Sequence, residues 1–314
     1  MKNDLQAFIF GAGFGIRLLP LTEERPKVTV PVLNKPVIFR IIENLCSFGI
    51  DHFVINSHYK PQILHDIVGD GKKWGVDIQY SHEDAILETG GGLKKAQNLI
   101  NSQTFILHNG DIICDVDFQK LLEFHKSKGA VATLVVSKYH NPKQVTIDST
   151  GKIIDIRNTF YKDIIPGYTF LGIHILEKKI FDMIEPDKKI SIIPIYLKMI
   201  SEGMPVYVWE IENGLWYDIG SIEQYKKANL DLAEKYFSNS RETRLYKSSN
   251  SYIDSNVSLN GLVCIGENSV IEKKVFLKNA ILWNNVHIKE GSVLEDVIIR
   301  DSKFVSGNHK GEII

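Results

Sequence analysis

Cysteine is scarce in this chain. Cys46, Cys114 and Cys264 stand far apart with no CxxC pairing, which excludes a disulfide framework and a cysteine zinc site and points to a reduced, cytoplasmic setting. Charge of one sign is also missing: 37 Lys and Arg balance 38 Asp and Glu, so no extended nucleic-acid surface is expected and any anion binding must be local. No run approaches the about 18 apolar residues of a membrane span. The amino terminus, MKNDLQAFIF, is too polar for a signal peptide. What remains is a chain of 314 residues, long enough for one large domain and a smaller one.

The densest stretch comes first. Residues 6–10, QAFIF, read as a buried strand, and GAGFGIR from Gly11 to Arg17 follows with three alternating glycines and a guanidinium. Such glycines leave backbone N–H groups bare, which fits a loop around phosphate oxygens as well as an ordinary tight turn. Arg17 would add a planar fork of donors to the same anion. A Walker loop is excluded because Gly15 is followed by Ile16 and Arg17. A dinucleotide fingerprint is excluded because only Phe14 separates Gly13 from Gly15.

Beyond this loop, apolar strands alternate with amphipathic helices. Ile38, Ile41, Leu45 and Phe48 mark a helix stopped by Gly49; strands are expected at 52–57, 77–82 and 104–108, with helices after Pro61 and from about Leu93. This order predicts an α/β fold with a doubly wound, mostly parallel sheet and ligands beyond the carboxyl ends of its strands. Strands at 130–138, 145–148 and 153–157 suggest a β-rich insertion. A helix from Ile222 to about Phe237, with Tyr225, Leu232 and Tyr236 on one side, closes a domain over 1–237. The polar stretch 238–250 reads as a linker. In 251–314, Ile253, Leu259, Ile265, Ile271 and Leu277 fall six residues apart, Trp283 keeps the step, and Ile288 and Leu294 resume it after a slip of one. That period predicts a short parallel β-helix of hexapeptide repeats.

Two further stretches hold chemistry-bearing residues. ETGGG, Glu88 to Gly92, is read as preceding its helix, where Thr89 fits a cap and the bare glycine amides fit the approach of a flat ligand. Asp111, in Asn109-Gly110-Asp111 at a strand end, fits either a turn former or one of the carboxylates that hold Mg²⁺ among phosphates. Asp117 reads as the cap of the helix starting at Phe118.

The whole stretch GAGFGIRLLPLTEERPKVTVPVLNKP closely resembles the signature of the sugar-phosphate nucleotidyltransferases, with more than ten positions agreeing over 26 residues. Ile16 departs from it, standing where that family usually has Thr. The resemblance implies transfer of a nucleotidyl group from a nucleoside triphosphate to a sugar 1-phosphate, releasing pyrophosphate, with Mg²⁺ as cofactor. By the same resemblance Arg17 and Lys27 act on the phosphates, and Asp111 with Asp218, in LWYDIG, holds the metal. Phe10, Gly11, Ala12, Gly13, Gly15, Glu88 and Gly91 would line the nucleotide, and Asn109, Tyr168 and Gly172 the sugar. The ETGGG wording is similar to the branch that makes GDP-mannose, related GDP-heptoses or UDP-muramic acid precursors; GTP with mannose or heptose 1-phosphate is the favoured pair, and UTP- or dTTP-dependent transfer is the alternative. The left-handed form of the β-helix is implied by family likeness, and a homo-oligomer is expected. The family's Glu-Lys-Pro sugar-phosphate motif is absent, since Asn158, Thr159 and Phe160 stand at its place and leave Arg157 or Lys162 as substitutes. A regulatory subunit that kept the fold and lost activity is the reading of another class, and retention of Arg17, Lys27, Asp111 and Asp218 argues against it. An acyltransferase acting through the β-helix is weaker still, because His287 alone does not make such a site.

Overall fold

The computed structural model describes residues 5–212, 214–236 and 243–314. The side chain of Tyr236, the expected helix end at Phe237 and the first part of the expected linker lie outside the described residues. The chain forms two compact units, one of Met1–Phe14, Pro26–Val28 and Ile38–Asp218, the other of Gly15–Arg25, Thr29–Val37 and Ile219–Ile314. The chain therefore passes between units several times, and the boundary expected near residue 237 is not where the packing divides.

The first unit is built on a seven-stranded sheet. Its strands are β1 Gln6–Phe10, β2 His52–Ser57, β3 Asp77–His82, β4 Thr104–Asn109, β5 Ala132–Ser137, β6 Thr169–Glu177 and β7 Val206–Glu210, in the spatial order β7-β5-β6-β4-β1-β2-β3. β1 runs parallel to β2 and β4, β2 to β3 and β7 to β5, while β6 is antiparallel to both β4 and β5. Four successive buried residues in β4, Phe105 to His108, show a strand covered on both faces, as parallel order requires. Helices α1 Val37–Ser47, α2 Pro61–Val68, α3 Glu88–Lys95 and α4 Phe118–Ser127 make the crossovers. Asp117 caps α4 as expected, its side chain accepting from the Lys120 N–H at 3.0 Å. Phe8, Phe105, Leu107, Leu134 and Tyr196 lie in one buried cluster on this sheet, where each such side chain contributes about 1.5–3 kcal/mol relative to exposure. Of the expected insertion strands, only 145–147 and 153–156 stand apart, as a small antiparallel pair; β5 is part of the main sheet.

The second unit carries α6, Ile222–Tyr236 (α5, Ile192–Ser201, belongs to the first), and a stack of short parallel strands. Ser258 faces Phe276, Phe276 faces Val293 and Val293 faces Asn308; a second row runs Tyr252, Val270, His287 and Phe304. Partners thus recur at roughly three hexapeptide steps. Ile265, Ile271, Leu277, Leu282, Ile288 and Leu294 are fully buried inside the stack. Trp283 does not keep the step: a register shift between Asn260 and Val263 of the neighbouring strand turns Leu282 inward and leaves Trp283 outside that cluster. Thr243–Lys247, expected as linker, is a strand paired with 261–265. Cys264, Ile281 and Ile298 alternate with the inward residues yet are buried, so this face of the stack is covered.

Candidate active site

Register brings the first loop and the strand ends together. Phe10 is the partner of Asn56 on one side and of Asn109 on the other, so the carboxyl ends of β1, β2 and β4 are level. Two glycines let the turns beyond them close on one another. A Cβ on Gly110 would lie 2.2 Å from the Phe10 carbonyl oxygen, which accepts instead from the Gly110 N–H at 3.1 Å. A Cβ on Gly11 would lie 2.6 Å from the Asn56 carbonyl oxygen, and the Gly11 N–H donates to Asn56 Oδ1 at 2.7 Å. Above these ends lies a cavity of about 210 Å³. Phe10, Ala12 and Gly13 line it from the first loop, Lys27 and Val28 from the signature, Asn109, Gly110 and Asp111 from the turn after β4, and Asn56, Glu83, Ile86, Glu88 and Thr89 from the side of β2, β3 and α3.

The charged centre is a cation between two carboxylates. The Lys27 ammonium donates to Asp111 Oδ2 and lies 3.8 Å from Asp218 Oδ1. Asp218 reaches this place because Trp216–Asp218 pairs antiparallel with Ile112–Cys114, setting Asp218 opposite Ile112, next to Asp111. All three side chains are mostly buried, at 11, 25 and 28 % exposure, so their attraction is weakly screened. Among the described residues no cluster of three or more His, Cys, Asp or Glu is placed for a metal. Two carboxylates nevertheless suit Mg²⁺, which takes one or two from protein and completes its shell with phosphates and water.

Beneath this centre sits His108, which is buried and whose Nδ1–H donates to the Asn109 carbonyl at 2.7 Å. Burial drives its pKa down to about 4, so the ring is neutral and the turn carrying Asp111 rests on a fixed donor.

Two residues unforeseen in the sequence join the cavity's halves. Glu83, 1 % exposed, accepts from Asn56 Nδ2 at 2.6 Å through one oxygen and from the Leu87 N–H at 2.9 Å through the other. With the Gly11–Asn56 bond, this chain of hydrogen bonds ties the first loop to the second. Glu83 directly follows β3, where the rule that singled out Asp111 after β4 would have found it.

The second loop differs from expectation. ETGGG is the first part of α3 rather than a loop before it, and Glu88 adopts a left-handed conformation at its start. Gly90 and Gly91 donate to the Ile190 carbonyl at 2.8 and 3.1 Å, and a Cβ on Gly91 would stand 2.1 Å from the Lys188 carbonyl oxygen. Gly91 is therefore a packing glycine against 188–190 and is not among the cavity-lining residues. Thr89 Oγ1 accepts from the Ile192 N–H at 2.9 Å, satisfying the first amide of α5, whose cap is Ser191, rather than capping its own helix.

Other expected residues also fall elsewhere. Gly11 is packed under the loop, and Gly15 and Arg17 belong to the second unit, where Arg17 is exposed on a single 3₁₀ turn, Ile16–Leu18; none of the three lines the cavity. Gly172 lies behind Asn109: its φ is +77°, and a Cβ there would meet Asn109 Nδ2 at 2.6 Å, so it makes room for that side chain. Tyr168 packs on the buried cluster and its carbonyl accepts from the Gln144 and Val145 N–H groups. Arg157 and Lys162 are exposed on a loop whose amides at 159, 160 and 161 all donate to the buried Asp155 carboxylate; neither lines the cavity.

Comparison with known proteins agrees with this architecture. The family model described as Nucleotidyl transferase matches residues 6–235. The mannose-1-phosphate guanylyltransferase catalytic subunit beta of Dictyostelium discoideum is 34 % identical over 229 residues, 70 % of this chain and 62 % of that protein. The chain thus spans less than two thirds of that relative's length. A UTP–glucose-1-phosphate uridylyltransferase of Synechocystis is 27 % identical over 94 % of this chain and 82 % of its own. The crystal structure of HddC from Yersinia pseudotuberculosis complexed with GMP-PN superposes with a TM-score of 0.61 at 24 % identity, covering 72 % of this chain and 99 % of HddC, a likeness of fold. The chain belongs to the nucleotidyl transferase family.

Proposed function

We propose that this protein joins a nucleoside triphosphate to a sugar 1-phosphate, giving a nucleoside diphosphate sugar and pyrophosphate. The observation that carries the reading is Lys27 held between Asp111 and Asp218 at the carboxyl edge of a parallel sheet, beside a glycine loop. A phosphate oxygen of the sugar 1-phosphate attacks the α-phosphorus, the bond to the β-phosphate oxygen breaks, and its electron pair leaves with pyrophosphate. The attacking oxygen is already anionic, so no side-chain nucleophile is needed and the work is positioning and charge stabilisation. Lys27 offers its ammonium to the phosphates being joined, while Arg17, which does not line the cavity, is assigned to the leaving pyrophosphate by the signature's resemblance alone. Asp111 and Asp218 are the residues that would hold Mg²⁺, whose chemistry when bound is to neutralise charge on the phosphates.

GTP is the favoured triphosphate and mannose or a heptose the favoured sugar. Glu83 and Glu88 both line the cavity, and although each Glu83 oxygen already accepts one bond, from Asn56 Nδ2 or from the Leu87 N–H, a carboxylate oxygen has a second lone pair to offer. Guanine offers both N1–H and its exocyclic amine to such acceptors, while uracil and thymine offer one N–H. The Dictyostelium relative's name supports the same choice, and that of the Synechocystis relative supports UTP as the second reading. The strand stack is read as a left-handed hexapeptide β-helix and a homo-oligomer is expected. The three free cysteines fit a cytoplasmic protein.

A pyrophosphate-release screen with Mg²⁺, pairing each nucleoside triphosphate with mannose, heptose, glucose and muramic acid 1-phosphates, tests the reading. GTP with mannose or heptose 1-phosphate is expected to lead. Lys27→Ala and Asp111→Asn are each expected to lower turnover at least ~100-fold in a folded protein. No release with any pair, or near-normal turnover in either variant, would overturn it.

A further inference from the structure

The signature segment is shared between the two units in a particular way. Gly15–Arg25 and Thr29–Val37 pack in the second unit, and only Pro26–Val28, with Lys27 in the middle, belongs to the first. Arg25 is the last residue before this excursion and Thr29 the first after it. The Arg25 guanidinium bridges the two: Nη1 donates to the Thr29 carbonyl oxygen at 3.3 Å, closing the excursion at its base.

The same guanidinium is fastened to the strand stack. Its Nη2 is ion-paired with Asp301, and its central carbon lies 4.7 Å from the centroid of the Trp283 ring. Trp283 Nε1–H donates in turn to the hydroxyl of the fully buried Tyr225 at 3.0 Å. Arg25 keeps 16 % side-chain exposure; a planar fork can meet a carbonyl, a carboxylate and a ring face together, which an ammonium on a flexible stem does not. Nearby, Arg300 donates to the Pro20 carbonyl oxygen at 3.1 Å and pairs with Glu23.

We propose that Arg25 is a positioning residue for Lys27, and that through Asp301 and Trp283 the C-terminal strand stack contributes to turnover without touching substrate. The proposal rests on the reading of Lys27 as the phosphate-binding cation. Five residues closed by a guanidinium at the base leave Lys27 little freedom along the chain. In a reaction driven by positioning, a displacement of about 1 Å costs on the order of 100-fold in rate.

The test uses the full chain and compares Arg25→Ala, Arg25→Lys, Trp283→Leu and Asp301→Asn with a control, Phe304→Ala, on the exposed row of the stack. Expected are a kcat about 10- to 100-fold lower in Arg25→Ala with KM for the triphosphate within about threefold, and smaller losses in the other three variants. Partial rescue of Arg25→Ala by methylguanidinium and faster exchange of the 27–29 amides are also expected. The control should keep its kcat. A kcat within twofold of the parent in Arg25→Ala, or in both Asp301→Asn and Trp283→Leu if Arg25→Ala does not fold, overturns the proposal; so does an equal loss in Phe304→Ala. If the parent protein releases no pyrophosphate with any pair, the functional reading has failed, and amide exchange at 27–29 alone decides on the clasp: unchanged exchange in the variants refutes it.

Discussion

His108 is a neutral support for the turn that presents Asp111, and its burial has a pH signature. The folded ring protonates near 4 and the unfolded one near 6.5, so between these values the unfolded chain binds more protons and stability falls as pH falls. The full effect is about 3 kcal/mol, of which about 2 kcal/mol is gone by pH 5. His125 and His174, lowered in the same direction by burial, add to it. The urea midpoint should drop between pH 7 and pH 5, and less so in His108→Gln; an equally steep drop in that variant would remove His108 from the account. Single residues were legible where chemistry and position coincide. Lys27 and Asp111 stand in recognisable words, and the fold brings them together with Asp218 beside them. Asn56 was not legible, because an asparagine inside a strand carries no local mark, and Glu83 shares with Asp111 a place after a strand but stands in no recognisable word. Only the 2.6 Å bond between them shows that they join the two loops. Ile16, the discordant residue of the signature, is 69 % exposed. Ile16→Thr is expected to tighten nucleotide binding if that side chain meets the triphosphate; unchanged affinity would show that it does not.

At the scale of elements, the alternation of strands and helices was legible because apolar period and turn residues agree along 37–127. ETGGG was misread because three glycines oppose a helix by about 1 kcal/mol each relative to alanine, and what overrides that cost is distant in sequence. The amides of Gly90 and Gly91 reach the Ile190 carbonyl, and no side chain larger than hydrogen fits between the helix and 188–191. The two roles proposed for Gly91 separate cleanly. As a packing glycine, Gly91→Ala should destabilise the protein by about 2–4 kcal/mol, since the obstructing atom is backbone and cannot rotate away. As a base contact it would raise KM for the triphosphate with little change in melting temperature. A calorimetric scan of the variant beside its KM decides, and an unshifted melt would restore the contact role. Trp283 was misplaced for a related reason. With Leu282 and Trp283 adjacent, a period of six cannot say which points inward, and the register shift that decides lies on the neighbouring strand.

At the scale of the whole molecule, a catalytic stretch over 1–237, a linker and a separate repeat domain formed the natural reading, because 238–250 is polar and the repeat begins after it. The packing divides differently: Ile219–Ile314 forms one unit with Gly15–Arg25 and Thr29–Val37. Nothing local announces this, since contacts between residues more than 200 positions apart leave no period in either segment. Leu18, Leu21, Val30 and Val32 are fully buried, the Asn34 amide donates to the Ile265 carbonyl at 2.7 Å, and Arg300 and Asp301 hold Glu23 and Arg25. Exposing even three such aliphatic side chains costs about 5–9 kcal/mol, comparable with the whole stability of an ordinary domain. Deleting 251–314 should therefore do more than remove an appendage. The shortened chain is expected to be cut by protease within 15–37 and to lose turnover, although Lys27, Asp111 and Asp218 all remain. If domains followed chain order, the same fragment would resist cleavage in 15–37 and keep its kcat, so limited proteolysis read beside pyrophosphate release distinguishes an interlaced signature from an independent catalytic half.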